Sequence, residues 1–175
     1  MLKRQRKGFT LIELLVVIAI IGLLSTLAVV ALNGARAKAR DAKRVADIRQ
    51  VQTALDLYSN DSAGYPGVAA AGINLGSTSA ACLGTGGFAV TGCVGAVMGM
   101  VPAPPTAPGA DYTSYVYRSF ADDGTTACPT TPCAKYSITF ALEGNTGDLT
   151  DVEGASGDTN KYPNCVAKPE GIPCI

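Results

Sequence analysis

One carboxylate, Glu13, stands inside an otherwise uncharged apolar run over residues 9–32, directly after the basic string Lys3-Arg4-Gln5-Arg6-Lys7-Gly8. No other feature restricts the chain so much. As a helix the run spans about 36 Å, enough to cross a bilayer with some tilt. Its polar content is limited to Thr10, Glu13, Ser25 and Thr26. A charged side chain in hydrocarbon is expensive and is retained where it meets a partner, so Glu13 calls for a cation or a set of donors. Gly22 sits mid-run, where a small residue lets a neighbouring helix approach closely.

The helical pattern continues beyond the run. Ala35, Ala37 and Ala39 alternate with Arg36, Lys38 and Arg40, all good helix formers. Val45, Ile48, Val51, Leu55 and Tyr58 then recur at spacings of three and four, which is one apolar stripe on a polar helix. Asn60-Asp61-Ser62-Ala63-Gly64-Tyr65-Pro66 supplies turn formers, so the spacing predicts one helix from residue 9 to about residue 59. The bases between Arg36 and Arg49 are expected to form a solvated or lipid-facing helical surface rather than a nucleic-acid site, with helical pairs Lys38–Asp41, Lys43–Asp47 and Arg44–Asp47.

The chain has no histidine, which removes a Ser-His-Asp triad, a Cys-His pair and a His-based zinc site. An enzyme is not expected. Residues 1–8 carry four positive charges, whereas residues 63–175 carry four bases and nine acids. An acidic domain does not seek nucleic acid through phosphate contacts, and no aromatic groove suggests base stacking. The six cysteines, Cys82, Cys93, Cys128, Cys133, Cys165 and Cys174, all follow the apolar run. An even number there suggests an oxidising compartment, with reduced buried thiols as the alternative. The sequence-local pairing, Cys82–Cys93, Cys128–Cys133 and Cys165–Cys174, is one of many connectivities.

Residues 64–110 are rich in Gly, Ala, Ser and Thr and read as a long loop pinned by Cys82 and Cys93, with room for short strands or a short helix. The strand formers of residues 112–120 and the period-two pattern of residues 136–142 predict an antiparallel pair, with the Cys128-Pro-Thr-Thr-Pro-Cys133 clip in its turn. A third strand is expected around residues 149–152, and residues 162–175 read as a stapled loop. Tyr136, Ile138, Phe140 and Leu142 form a face that needs cover, and the stripe from Val45 to Tyr58 is the obvious partner. The expected fold class is α+β: a long N-terminal helix, half membrane-spanning and half amphipathic, packed on a small antiparallel sheet.

Lys7-Gly8-Phe9-Thr10-Leu11-Ile12-Glu13-Leu14 and the apolar run closely resemble the N-terminus of type IV pilins and of the pseudopilins of type II secretion and DNA-uptake systems. The resemblance covers residues 1–32 and, in architecture, extends to Tyr65-Pro66. It implies a class III leader, residues 1–8, cut by a prepilin peptidase between Gly8 and Phe9, with N-methylation of Phe9. The remaining organisation would be an assembly helix at 9–32, its amphipathic continuation at 33–62 and an extracytoplasmic α+β domain at 63–175. The implied partners are copies of the chain, related major or minor pilins, the peptidase and an inner-membrane assembly platform. The implied location is the cytoplasmic membrane as a single-pass precursor, then a periplasmic or surface filament. Cleavage would create an α-amine on Phe9, and Glu13 of one subunit would pair with Phe9 of its neighbour. Major pilins often carry a proline eight residues after the glycine corresponding to Gly22; here that residue is Val30, so the helix is harder to unwind there.

Other readings stand beside this one. Thr10-Leu-Ile-Glu13 also fits a capping box, in which Glu13 serves only its own helix. Ala35-Arg-Ala37 resembles an ordinary signal-peptidase site, which would make the chain a secreted binding domain; an uncleaved anchor would make it a membrane-bound one. The bases from Arg36 to Arg49 oppose an outside domain on charge counting, and the resemblance and the cysteines favour it. Asp122, Asp123, Asp148, Asp151 and Glu153 could cage calcium, as in some pseudopilins, or form a solvated acidic loop; no other cofactor or metal is expected.

Overall fold

The computed structural model describes residues 9–106, 113–144 and 164–169. It divides into two compact units, Met1–Ala37 and Lys38–Ile175. Helix α1, Leu11–Ser62, contributes to both. It contains no proline, and it continues through Asn60 and Asp61, whose modest helix penalties do not stop it. The stop falls at Ala63, a left-handed residue with φ of 56°. That position usually goes to glycine. Here the following Gly64 is needed for another reason: a Cβ on it would lie 2.8 Å from both the Cys133 carbonyl oxygen and Pro132 Cβ.

In the first unit the apolar side chains of α1 are exposed on every side, from Leu11 to Leu32. The helix is long and apolar enough to cross a membrane. In the second unit its inward face is Ile48, Val51, Ala54, Leu55 and Tyr58, all buried. Each large member of that stripe contributes roughly 1.5–3 kcal/mol before entropy is charged.

The strands are short. They are β1 (Ile73–Asn74), β2 (Cys82–Gly84), β3 (Gly87–Ala89), β4 (Val116–Phe120), β5 (Lys135–Ala141) and β6 (Asn164–Ala167). The main sheet has the order β1-β4-β5-β6, with every pairing antiparallel. Its central pair places Tyr117 opposite Ile138 and Ser119 opposite Tyr136. Tyr136, Ile138, Phe140 and Leu142 are buried in one cluster with the helix stripe, so the face that needed cover has it. The α+β class read from the sequence is the observed one.

Three expectations require correction or fall outside view. Residues 164–167 are not loop but strand β6, which continues the sheet beside β5. Residues 64–106 carry the short strands that the loop reading allowed, and are more ordered than a long loop: they provide edge strand β1 and the β2-β3 hairpin, and the backbone of Leu83 also exchanges hydrogen bonds with Met98. Leu75, Leu83 and Val101 from this region enter the core. A weakly patterned segment can fold this way because its apolar residues are few and far apart, so periodicity does not reveal them. The expected strand at 149–152 lies outside the described residues.

Two disulfides are formed, Cys82–Cys93 and Cys128–Cys133. The second closes a clip that holds the chain leaving α1. Tyr65 and Cys133 exchange backbone hydrogen bonds at 2.8 and 3.0 Å, and Gly67 N donates to Thr131 Oγ1 at 2.9 Å. The side chain of Cys165 and all of Cys174 lie outside the described residues.

Candidate functional site

The start of α1 is the first place where function concentrates. Thr10 is the N-cap. Its backbone N–H and its hydroxyl both donate to Glu13 Oε2, at 2.9 and 2.8 Å, and Glu13 N donates back to Thr10 Oγ1 at 3.3 Å. This is a reciprocal capping box. The two other polar side chains of the run are satisfied within the helix: Ser25 donates to the Ile21 carbonyl and Thr26 to that of Leu23. Glu13 differs from them. Oε2 carries both cap bonds, and among the described residues Oε1 has no partner. Phe9, just ahead, is 84% exposed. The segment thus offers an acid with one open oxygen at the head of a wholly apolar surface. Gly8 lies outside the described residues.

The second concentration is a charged cluster that sequence reasoning missed. Arg40 and Arg44, assigned to a solvated stripe, both turn to Glu143 in the turn after β5. Arg40 forms a two-pronged pair with Glu143, through Nε and Nη2, and Arg44 Nη1 reaches Glu143 Oε1 at 2.8 Å. Asp41 accepts from Arg44 at 2.7 Å and from the backbone N–H groups of Glu143 and Gly144, each at 2.9 Å. Arg44 is fully buried. Hydrogen bonds from Arg40, helped by Arg44, hold the Glu143 carboxyl below its ordinary range, and Glu143 raises the Arg40 guanidinium in return. The expected Lys43–Asp47 and Arg44–Asp47 pairs are not formed. Asp47 is buried and accepts from the Tyr115 hydroxyl at 3.2 Å; burial raises its carboxyl and also raises the Tyr115 phenol. Asp41 goes to Arg44 and the β5 turn rather than to Lys38.

The sequence signal for this cluster was present but ambiguous. Arg40, Arg44, Asp47 and Val51 share the inward face with the apolar stripe, yet charge alone argues for solvent. Partners distant in the chain make their enclosure tolerable: Glu143 for Arg40 and Arg44, and Tyr115 for Asp47.

The described acids do not build a calcium cage. The carboxylate of Asp123 accepts from Thr125 N, Thr126 N and the Thr126 hydroxyl, bonds that lower its pKa to about 2. Asp148, Asp151 and Glu153 lie outside the described residues. Among the described residues no three acids, cysteines or histidines converge.

Comparison with known proteins bears on the N-terminal third. A family model described as "Prokaryotic N-terminal methylation motif" matches residues 3–29. The chain is similar to the type II secretion system core protein G of Aeromonas hydrophila, 47% identical over 66 residues, covering 38% of this chain and 46% of that protein. Its counterpart in Escherichia coli (strain K12) is 47% identical over 62 residues, 35% of this chain and 43% of that protein. That of Dickeya chrysanthemi is 43% identical over 65 residues, 37% and 42% respectively. The chain thus spans less than half the length of these relatives. No solved structure matches it significantly. The methylation motif on residues 3–29, the core protein G relatives, and a long apolar-headed helix followed by a small antiparallel sheet together support a type IV pilin or pseudopilin family for this chain.

Proposed function

We propose that this chain is a structural, non-catalytic subunit of a pseudopilus of the type II secretion kind. It is inserted as a single-span precursor, cut between Gly8 and Phe9, N-methylated on Phe9, and assembled through residues 9–32. The similarity to core protein G favours a secretion pseudopilus over a motility or DNA-uptake filament. The partners on this reading are copies of the chain, minor pseudopilins, the prepilin peptidase and an inner-membrane platform.

The observation that carries the reading is the half-engaged Glu13. Its cap uses Oε2 and leaves Oε1 for the cationic amine that cleavage would create on Phe9 of a neighbour. The capping box and an assembly role are therefore compatible. In a parallel bundle this contact satisfies an acid that lipid alone does not, and it favours one axial register. Bundled apolar helices form the filament core, and the disulfide-bearing domains coat it.

Intact mass of the chain from cells tests processing: a start at N-methyl-Phe9 is expected, whereas a start at Lys38 means ordinary secretion and Met1 a permanent anchor. Glu13→Ala tests assembly. The variant is expected to be processed normally and to yield at least tenfold fewer filaments. Undiminished yield removes the register role of Glu13.

A further inference from the structure

Once Arg40, Asp41, Arg44 and Asp47 are drawn into the domain, the charges left on the solvent side of α1 within the second unit fall into a simple order. Lys38, Lys43 and Arg49 come first and are exposed; Asp56 and Asp61 come last and are exposed. None of these five forms an ion pair among the described residues. They also fall on two ridges. Lys38, Arg49 and Asp56 align along one side of the helix, separated by about three and about two turns, and Lys43 and Asp61 align along another, about five turns apart. Between the ridges lies an exposed strip that includes Ala39, Ala42, Ala46 and Leu57.

We propose that this two-ridged face of α1 docks against the same helix of a second copy, its basic half against the neighbour's acidic half. The occupant follows from the charge order. A lipid surface or a nucleic acid would match the bases and be repelled by Asp56 and Asp61. A parallel copy displaced along the axis matches both signs. When opposite ridges meet, Lys43 opposes Asp56 after a shift of about 20 Å, and Arg49 opposes Asp61 after a shift of about 18 Å. One offset therefore serves both contacts. The arrangement is head-to-tail, so it leaves a free basic half and a free acidic half on every added copy and grows without closing. The inference rests on the filament reading above and adds the contact that sets the stagger outside the apolar core. An unshifted pair would place like charges at the same level, so the pattern also disfavours that alignment.

The test uses the full chain assembled in cells. Lys43→Asp and Asp56→Lys are each expected to lower filament yield about tenfold, and the double reversal to restore it to within about twofold. Lys43→Cys with Asp56→Cys, in otherwise native cysteine background, is expected to give cross-linked ladders from filaments. Restoration by the double reversal excludes a folding defect as the cause of the single losses. If wild type forms filaments while both single reversals assemble as wild type, or the double is no better than the worse single and no cross-link forms, this docking face is wrong. If wild type forms no filament, the assembly reading fails and takes this inference with it.

Discussion

Glu13 and Glu143 show how differently two carboxylates in one chain can be held. Glu13 stands on an exposed helix end with one oxygen engaged, whereas Glu143 is largely enclosed and accepts from two arginines. Removing the Glu143 side chain leaves the fully buried Arg44 with only Asp41 among the cluster's acids. Breaking a buried pair by deleting one partner costs about 3–5 kcal/mol, so Glu143→Ala is expected to lower the unfolding midpoint in detergent sharply, read by circular dichroism. The pH dependence has a defined sign. Arg40 holds Glu143 below its ordinary value of 4.5, so its contribution is complete above that value and is lost as pH falls through the lower folded-state value. Asp47 acts oppositely. Burial raises it above 3.8, so it weakens the fold as pH rises through the interval just above that value. A Glu143→Gln chain is therefore expected to show a flatter acid limb below about pH 4.5 than wild type. An unchanged acid limb would mean that Glu143 is not a significant source of acid sensitivity.

At the scale of elements, the join between α1 and the sheet is made twice. At its upper end Asp41 caps the backbone of the β5 turn. At its lower end Gly64 and Gly67 lie against the Cys128–Cys133 clip, and the Tyr117 hydroxyl donates to the Pro66 carbonyl at 2.9 Å. Gly64→Ala would put a methyl group 2.8 Å from the Cys133 carbonyl oxygen, so the clip must shift. A destabilisation of about 1–3 kcal/mol is expected, measured by denaturant midpoint at unchanged m-value. The helix, its inward stripe and the β4-β5 pair were legible because period and residue type agree over many residues. Strands β1, β2, β3 and β6 were not. They are two to four residues long, too short for any period to show; β1 and β6 are held by the longer neighbours β4 and β5, and β2 and β3 pair only with each other.

For the whole molecule, the two described disulfides follow the apolar run in sequence, one bracing the β2-β3 hairpin and the other the clip. Both close short loops, for which a bond contributes on the order of 2–3 kcal/mol by the loop-entropy account. Reductant is therefore expected to lower the unfolding midpoint of the domain without altering the proposed cleavage at Gly8, which concerns a segment with no cysteine. A matching shift in Cys128→Ser with Cys133→Ser would assign the effect to the clip; no shift in that variant would assign it elsewhere. The charge conflict at the membrane boundary also looks different at this scale. Of the six bases between Arg36 and Arg49, Arg40 and Arg44 are neutralised by acids of the folded domain.

What the residues alone determined is everything that rests on local chemistry: an apolar run of membrane length, its solitary acid, the basic string ahead of it, the amphipathic continuation, and one hairpin of strongly β-prone strands. These need no partner distant in the chain. What only the tertiary structure decided is the fate of charges and short segments whose free energy depends on a remote group. The buried Arg44 meets Glu143 from far along the chain as well as Asp41 from its own helix, and β6 is a strand because β5 offers an open edge. Sequence spacing carries no record of such meetings, since the cost of leaving either side unpaired is incurred only after the chain has folded.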